Sequence, residues 1–222
     1  MTGAERRAAL QAARAAEFAA ILDVLLHVSG DERALDVGSG TGALAFALAS
    51  RVGEVVTVDR DPDVVERARA AAPSNVEALV GDGEQLPFGP FEFDIAASVR
   101  TLHHTQRPEL LVAELARVTR PGGTILVADQ LAPVDPLAAF ELNRFERARH
   151  AATTRVLSEG DLRALFDANR LVLRRQEIAQ EARGVEDYLD LAGCEGEERE
   201  HVKVLAPPGY RATLGWFLLT RA

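Results

Sequence analysis

One short stretch combines a carboxylate with regularly spaced glycines. In the run R-A-L-D-V-G-S-G-T-G, Asp36 is followed at intervals of two residues by Gly38, Gly40 and Gly42. Glycines let a backbone turn sharply and come close to a ligand, and a helix that follows such a turn offers unpaired N–H groups. A carboxylate beside the turn suits a cationic or amine-bearing ligand better than a pyrophosphate, because like charges repel. The stretch therefore predicts a binding site for a small ligand with positive charge.

A second carboxylate stands where a ribose could be held. Asp59 ends the β-branched run E-V-V-T-V-D, about 20 residues past the glycines, a spacing typical of the acidic residue that accepts ribose hydroxyls. The alternative is that Asp59 is a turn or helix-capping residue, as the neighbouring Asp61 is expected to be. Arg60 follows Asp59, and we expect it to stack over an adenine.

Three further side chains could move a proton. His103 and His104 follow the strand pattern 93–98 in the run V-R-T-L-H-H-T, and histidine titrates near neutral pH. Asp129 follows the strand pattern 124–128 and could orient a substrate or act as a base. The structural alternatives are equally concrete, because the histidines could pack beneath a ligand and Asp129 could simply end a strand. We expect no metal site, because no third ligand stands near the two histidines.

Strand and helix patterns alternate along the chain, as is typical of an open parallel α/β sheet with ligands at the carboxyl ends of its strands. The predicted strands cover 34–37, 54–59, 76–80, 93–98, 124–128, a segment beginning at 171, and 213–220. The predicted helices cover 4–28, 43–49, 63–72, 108–118 with a glycine stop at 122–123, 137–150, 161–168 and 179–205.

Several motifs resemble those of class I S-adenosylmethionine-dependent methyltransferases, of the ubiquinone/menaquinone-methyltransferase-like group. The glycine stretch resembles motif I, acidic-x-G-x-G-x-G, and G-D-G-E-Q-L-P-F at 81–88 resembles G-D-A-E-x-L-P-F. L-H-H at 102–104 and R-V-T-R-P-G-G at 117–123 also resemble segments of that group. The resemblance implies a Rossmann-like, doubly wound sheet of seven strands, mostly parallel with an antiparallel C-terminal strand and with helices on both faces.

The resemblance also implies S-adenosyl-L-methionine as the cofactor. The glycine turn would then pack against the methionine part, Asp82 would accept a hydrogen bond from the adenine amine, and the backbone N–H of Gly83 would reach a ring nitrogen. Gly83 stands where the group usually has alanine, a mild departure. The expected cofactor-binding residues are Asp36, Gly38, Ser39, Gly40, Asp59, Arg60, Asp82, Gly83 and Ser98.

Composition limits the partners. The chain has 222 residues, 47% of them hydrophobic, with a net charge of −9, which disfavours a nucleic-acid partner. A single cysteine, Cys194, excludes an intrachain disulfide. We read neither a signal peptide nor a membrane span, and expect a cytoplasmic protein. We expect one domain over 1–222, with a helical cover at 1–30, a cofactor-binding core at 31–130, and substrate-cover segments at 131–157 and 179–210.

The predicted function is transfer of a methyl group to an oxygen, nitrogen or carbon atom of a small-molecule acceptor. Arg147, His150 and Arg155 could hold an anionic or phenolic acceptor. A nicotinamide-dependent oxidoreductase and a non-catalytic S-adenosylmethionine-binding protein are the alternatives. Whether the protein is a monomer or a homodimer stays open.

Overall fold

A computed structural model describes residues 16–181 and 184–221, and over these residues the chain forms one sheet of seven strands. The strands are β1 (Arg33–Val37), β2 (Glu54–Asp59), β3 (Val76–Val80), β4 (Phe93–Val99), β5 (Thr119–Gln130), β6 (Leu171–Gln180) and β7 (Thr213–Arg221). Their order is β3-β2-β1-β4-β5-β7-β6. Strands β1 to β5 pair in parallel, whereas β7 runs antiparallel to both β5 and β6. This confirms the predicted fold class.

Helices connect the strands. Helix α1 covers residues 16–25 of the described chain, so the part of the predicted helix before residue 16 lies outside the described residues. The others are α2 (Ala43–Ala49), α3 (Pro62–Ala71), α4 (Pro108–Val118), α5 (Pro136–Arg149), α6 (Glu159–Ala168), α7 (Val185–Ala192) and α8 (Gly196–Val204). A 3-10 turn spans Leu102–His104.

The two faces of the sheet bury separate hydrophobic clusters because neighbouring strand residues point to opposite sides. On one face, Leu35 and Val37 of β1 pack in a cluster with Leu111 of α4. On the other face, Ala34 packs in a cluster with Leu48 of α2. Both faces of β1 are therefore covered, and only the ends of the strands are left to bind a ligand.

Helix α4 ends at the predicted residue, Val118, but its C-terminal cap differs from the prediction. The helix ends at Val118 and is followed directly by β5, whose pairing with β4 is irregular at the Pro-Gly-Gly segment. The cap residue is Thr119, whose hydroxyl donates to the Leu115 carbonyl at 2.7 Å. The predicted glycine stop is therefore wrong, because the last carbonyls of α4 accept hydrogen bonds from the Thr119 and Arg221 side chains and from the Phe91 N–H. Nη1 of Arg221 lies 2.5 Å from the Ala116 carbonyl oxygen and 2.7 Å from that of Thr119.

The segment predicted as one helix over 179–205 divides into three parts. Strand β6 continues to Gln180 and pairs with β7 over its whole length. Helices α7 and α8 follow, separated by Gly193, whose φ of 75° ends α7 in the left-handed conformation. Sequence alone favoured helix here because the strand's far end is polar and exposed, so it lacks an apolar alternation.

The two segments beyond β5 pack against each other. Phe145 of α5, Tyr188 of α7, Val202 of α8 and Tyr210 share one buried cluster apart from the two sheet clusters. The ring centroids of Phe145 and Tyr210 are 4.8 Å apart. The predicted cover segments 131–157 and 179–210 thus contact each other, although their role stays a prediction.

Replacing Arg221 with methionine should test the closure of α4. The side chain keeps much of its length but loses the hydrogen bonds to the Ala116 and Thr119 carbonyls, so we expect the free energy of unfolding to fall by about 1–3 kcal/mol. Urea denaturation measures the change. The matched control is Arg174→Met, because Arg174 is exposed and donates only to the Thr220 hydroxyl at 3.2 Å. Equal losses for the two variants would show that Arg221 does not close the helix.

Candidate functional site

A cavity of about 460 Å³ lies at the carboxyl ends of the first four strands. Its walls come from the loops after β1, β2 and β3 and from the end of β4. Phe18 of α1 closes one side, and His150 and Ala152, just beyond α5, close another. The volume falls in the usual range for a site that holds a small ligand.

The glycine turn is tied to the end of β2. The Gly38 N–H donates to the Val58 carbonyl at 2.8 Å, and the Gly40 N–H donates to Asp59 Oδ2 at 2.9 Å. Gly38 and Gly40 both have positive φ, 79° and 54°. A Cβ on Gly38 would lie 2.2 Å from the Thr101 hydroxyl, whereas a Cβ on Gly40 would have no atom within 4 Å. Gly40 is thus the glycine whose missing side chain leaves open space in the cavity wall.

Asp36 lies beneath the turn. It is 1% exposed and does not line the cavity, so the expectation that it contacts a ligand is corrected. Its carboxylate accepts a hydrogen bond from Thr57 Oγ1 at 3.3 Å and one from the backbone N–H of Ala45, in the first turn of α2. Gly42, the N-cap residue of α2, has no side chain to do this. Asp36 therefore acts as the acceptor that a helix N-terminus needs.

Burial dominates the ionisation of Asp36. The loss of solvent, with a smaller contribution from the charge on Asp59, raises the pKa of Asp36 to about 7, against the bonds from Thr57 and Ala45 that lower it. Asp36 therefore takes up a proton at a higher pH than an ordinary carboxyl group does. The sequence does not show this, because it depends on how tightly α2 covers β1.

Asp59 and Arg60, two of the residues expected to bind the cofactor, line the cavity. Besides the Gly40 N–H on Oδ2, Asp59 accepts the Asp61 N–H on Oδ1 at 3.0 Å. Each oxygen of a carboxylate can accept more than one hydrogen bond, so both can still receive a hydroxyl. The Asp59 side chain is held in place by backbone groups on both sides, whereas Arg60 is exposed.

Asp82 and Gly83, in the loop after β3, also line the cavity. Asp82 is exposed, and its Oδ1 accepts the Glu84 N–H at 2.8 Å. A Cβ on Gly83 would lie 2.8 Å from Val37 Cγ1 and 3.3 Å from Leu111 Cδ1. The glycine at this position is therefore matched to its neighbours, and alanine would require Val37 to move.

Ser98 is buried below the cavity rather than on its wall. The side chain is 1% exposed and its hydroxyl donates to the Val37 carbonyl at 3.1 Å, which corrects its expected ligand contact. The wall at this point is made by Arg100 and Thr101, which sequence reasoning missed. Arg100 has a φ of 57°, unusual for a residue with a side chain. No sequence signal marks that conformation.

His103 and Asp129 form a buried pair outside the cavity wall. His103 Nδ1 contacts Asp129 Oδ1, and the His103 N–H donates to Asp129 Oδ2 at 3.1 Å. Burial opposes the charge on Asp129, but His103, together with the Gln130 N–H and the charge on Arg100, holds the pKa of Asp129 below its usual value. The two side chains are 4% and 2% exposed and do not line the cavity. The structure therefore favours the packing alternative for His103 and the structural one for Asp129.

His104 and His150 do line the cavity, and their ring centroids are 5.0 Å apart. Burial, together with His103 and His150, lowers the pKa of His104 to about 3. Burial and the nearby Arg149 also lower the pKa of His150. His104 is therefore neutral at pH 7 and can accept a hydrogen bond, but a proton placed on it would not stay.

Arg147 and Arg155 lie elsewhere. Both are exposed and line a separate surface hollow, with Arg147 donating to the Thr154 carbonyl at 3.3 Å and Arg155 paired with Asp161 at 3.2 Å. The structure brings only His150 of the three predicted acceptor residues to the cavity. The reason is that His150 comes after the last turn of α5, where the chain turns back to the 3-10 turn that follows β4, and the Thr154 N–H donates to the His103 carbonyl at 2.8 Å.

Comparison with known proteins identifies the family. Residues 35–127 match a family model described as a methyltransferase domain, Methyltransf_11. The uncharacterized methyltransferase YcgJ of Bacillus subtilis is 34% identical over 145 residues, which are 64% of this chain and 57% of that protein. The demethylmenaquinone methyltransferase of Clavibacter sepedonicus is 31% identical over 129 residues, which are 57% of this chain and 53% of that protein. The chain spans little more than half the length of these relatives.

Solved structures show the same fold. The crystal structure of YcgJ superposes with a TM-score of 0.82 at 24% identity, covering 91% of this chain and 96% of that one. Geranyl diphosphate C-methyltransferase of Streptomyces coelicolor, solved with S-adenosyl-L-homocysteine, superposes with a TM-score of 0.67 at 16% identity, covering 93% and 80%. The seven-stranded sheet of this chain therefore has the fold of these two proteins. Residues 35–127 of the chain thus form a methyltransferase domain of the Methyltransf_11 type, and the cofactor of that family is S-adenosylmethionine.

The match of residues 35–127 to a methyltransferase domain decides against the nicotinamide alternative. The residues present also fit S-adenosylmethionine, because open space faces Gly40 and two carboxylates, Asp59 and Asp82, stand at the wall with capacity to accept hydrogen bonds. Within 16–181 and 184–221, no helix has the length and apolar character to cross a membrane, and no three metal-binding side chains are grouped.

Replacing Asp36 with asparagine should change how stability depends on pH. A folded-state pKa raised to about 7 means that the native protein binds more protons than the unfolded chain between about pH 4 and 7, so this group's contribution falls as pH rises through that window. Asparagine removes the effect. The stability of Asp36→Asn relative to the wild type should therefore improve by about 1–3 kcal/mol from pH 5 to pH 8.

Urea denaturation at the two pH values measures this difference. Asp63→Asn is the control, because Asp63 is exposed on α3, outside the cavity wall. A relative stability of Asp36→Asn that is the same at pH 5 and pH 8 would contradict the raised pKa.

Proposed function

We propose that this protein transfers the methyl group of S-adenosylmethionine to a small-molecule acceptor by direct in-line displacement. One observation carries the proposal: Asp59, on the cavity wall, accepts the Gly40 N–H at 2.9 Å. This bond joins a carboxylate suited to a ribose with a glycine turn suited to an amino-acid tail. The two halves of such a ligand would thus be held by one connected unit of backbone and side chain.

The cavity residues suggest how the cofactor would lie. The ribose hydroxyls would donate to Asp59, while Asp82 would accept from the adenine amine and the Gly83 N–H would reach the ring. Arg60 would cover the adenine from the solvent side. The turn from Gly38 to Gly40 would hold the methionine part, with Asp36 and Ser98 supporting it from below rather than touching it.

Methyl transfer needs little chemical catalysis from the protein's side chains. When bound, S-adenosylmethionine supplies an electrophilic methyl group, which leaves its sulfur as the acceptor's lone pair forms the new bond. The chain's part is alignment and exclusion of water, and alignment can contribute roughly 7–11 kcal/mol of the barrier. An acceptor O–H or N–H must also lose its proton. His104 and His150 can accept a hydrogen bond from it, but the low pKa of His104 directs the proton onward to solvent.

A small molecule is the acceptor class that the chain supports best. A net charge of −9 is unsuited to a nucleic-acid surface, and two similar proteins are named for small-molecule acceptors, demethylmenaquinone and geranyl diphosphate. The division into cover segments at 1–30, 131–157 and 179–210 around a core at 31–130 is part of the proposal, as is a cytoplasmic location.

Two substitutions should separate cofactor binding from folding. Gly40→Val places a branched side chain in the cavity, and Gly30→Val is the control, because both glycines have positive φ and open space around the missing Cβ but only Gly40 lines the cavity. We expect affinity for S-adenosylhomocysteine, measured by calorimetry, to fall at least tenfold for Gly40→Val and to stay within twofold for Gly30→Val. Asp59→Ala should also lose at least tenfold, with Asp63→Ala as its control. A folded Gly40→Val protein of normal affinity would show that the turn is not the site.

Turnover tests the reaction itself. Purified protein should transfer label from methyl-labelled S-adenosylmethionine to at least one compound in a cell extract of small metabolites, detected by mass spectrometry. Asp59→Ala is the negative control and should form little labelled product. Tight S-adenosylhomocysteine binding with no labelled product from any extract would favour the non-catalytic alternative instead.

A further inference from the structure

A second cavity, of about 440 Å³, lies beside the first. It is bounded by α1, by the last part of β6 and by the first part of β7. Because β6 runs parallel to β5 and β7 runs antiparallel to both, these strand ends share the sheet edge where the cofactor cavity opens. The second cavity is therefore at the reactive edge of the sheet, not behind it.

Its lining is mainly apolar. Ile21, Leu214 and Trp216 form its walls, and Val24 and Ile178 border it with 45% and 43% of their surface exposed. Leaving such side chains in water costs free energy in proportion to their area, which a bound apolar molecule would recover. Nothing in the cofactor's chemistry calls for such a surface.

The charged side chains of the lining are engaged with partners. Arg175 pairs with Glu177 at 2.9 Å and donates to the Val24 carbonyl at 2.9 Å, and Glu181 pairs with Arg100 at 2.8 Å. The Arg100 and Glu181 side chains are 10% and 11% exposed, so this ion pair is largely buried. Three acidic residues line the cavity against one basic residue, which disfavours an anionic ligand.

The two cavities share a wall. Phe18 lines both of them and packs edge-on against Trp216, with ring centroids 5.8 Å apart. Arg100 lines the cofactor cavity while its partner Glu181 lines the second. The partition between cofactor and second cavity is thus one aromatic ring and one ion pair.

We propose that the second cavity holds the body of the methyl acceptor, and that this acceptor is an uncharged, predominantly apolar molecule. Its reactive end reaches past Phe18 into the cofactor cavity, while its apolar part rests on Ile21, Leu214 and Trp216. This inference rests on the proposed methyl transfer, because it specifies the acceptor of the same reaction.

Trp216 makes the inference measurable, because the chain has a single tryptophan. N-phenyl-1-naphthylamine, a neutral aromatic probe, should quench Trp216 emission by energy transfer, and the quenching should saturate as the probe concentration rises. The probe should bind equally well when S-adenosylhomocysteine is also bound. The anionic probe 8-anilinonaphthalene-1-sulfonate should bind at least tenfold more weakly. Ala179 is exposed and lines the cavity, so Ala179→Phe places a large side chain in it and should weaken binding of the neutral probe at least tenfold. Val172→Phe is the matched control, on the same strand but outside the lining.

Turnover connects the cavity to the reaction. Labelled product should come from the apolar, organic-phase part of the cell extract, and should fall at least tenfold in Ala179→Phe but not in Val172→Phe, with S-adenosylhomocysteine affinity unchanged in both. Four outcomes would each overturn the inference. The neutral probe could compete with S-adenosylhomocysteine, or the two variants could have equal effects. The anionic probe could bind as well as the neutral one, or labelled product could come only from the aqueous extract. If the wild type did not bind S-adenosylhomocysteine at all, the proposed function would be overturned instead.

Discussion

The site depends on two carboxylates, Asp59 and Asp36, which accept hydrogen bonds from backbone N–H groups of the glycine turn and of the helix that follows it. The glycines of the turn have no side chains to accept the N–H groups of the turn and of α2, and β1 and β2 supply carboxylate acceptors for two of them. Asp59 takes the Gly40 N–H from the tip of β2, and Asp36 takes the Ala45 N–H from within β1. The pairing of β1 with β2 therefore determines the shape of the turn as well as the shape of the sheet.

This arrangement has an electrostatic cost. Two carboxylates lie close enough that the charge on Asp59 contributes to the raised pKa of Asp36, in a place where burial already disfavours ionisation. The N-terminus of α2 offsets part of that cost with its positive dipole end. A ligand carrying positive charge above the turn suits this surrounding better than a pyrophosphate does.

The far side of the cavity depends on a different buried network. Glu146 of α5 is fully buried, and its carboxylate accepts hydrogen bonds from Gln130 at the end of β5, from Tyr210 and from Arg149. These bonds attach the segments beyond β5 to the sheet, and they place the end of α5 so that His150 reaches the cavity beside His104. A buried carboxylate of this kind is tolerated because all of these donors meet it at once.

The sequence by itself determined where most of the strands lie, apart from the last part of β6, and which loop residues stand on one wall of the cofactor cavity, because short apolar runs and glycine spacing are local properties of the chain. The positions of Gly38, Gly40, Asp59, Arg60, Asp82 and Gly83 on that wall follow from such local order. Only the tertiary structure decided that Asp36, Ser98, His103 and Asp129 are buried supports, that Arg147 and Arg155 face another hollow, and that Phe18 divides two cavities. The residues that line the cavity differ from those that do not in burial and in long-range contacts. Both properties are set by which helix covers which strand, not by spacing along the chain.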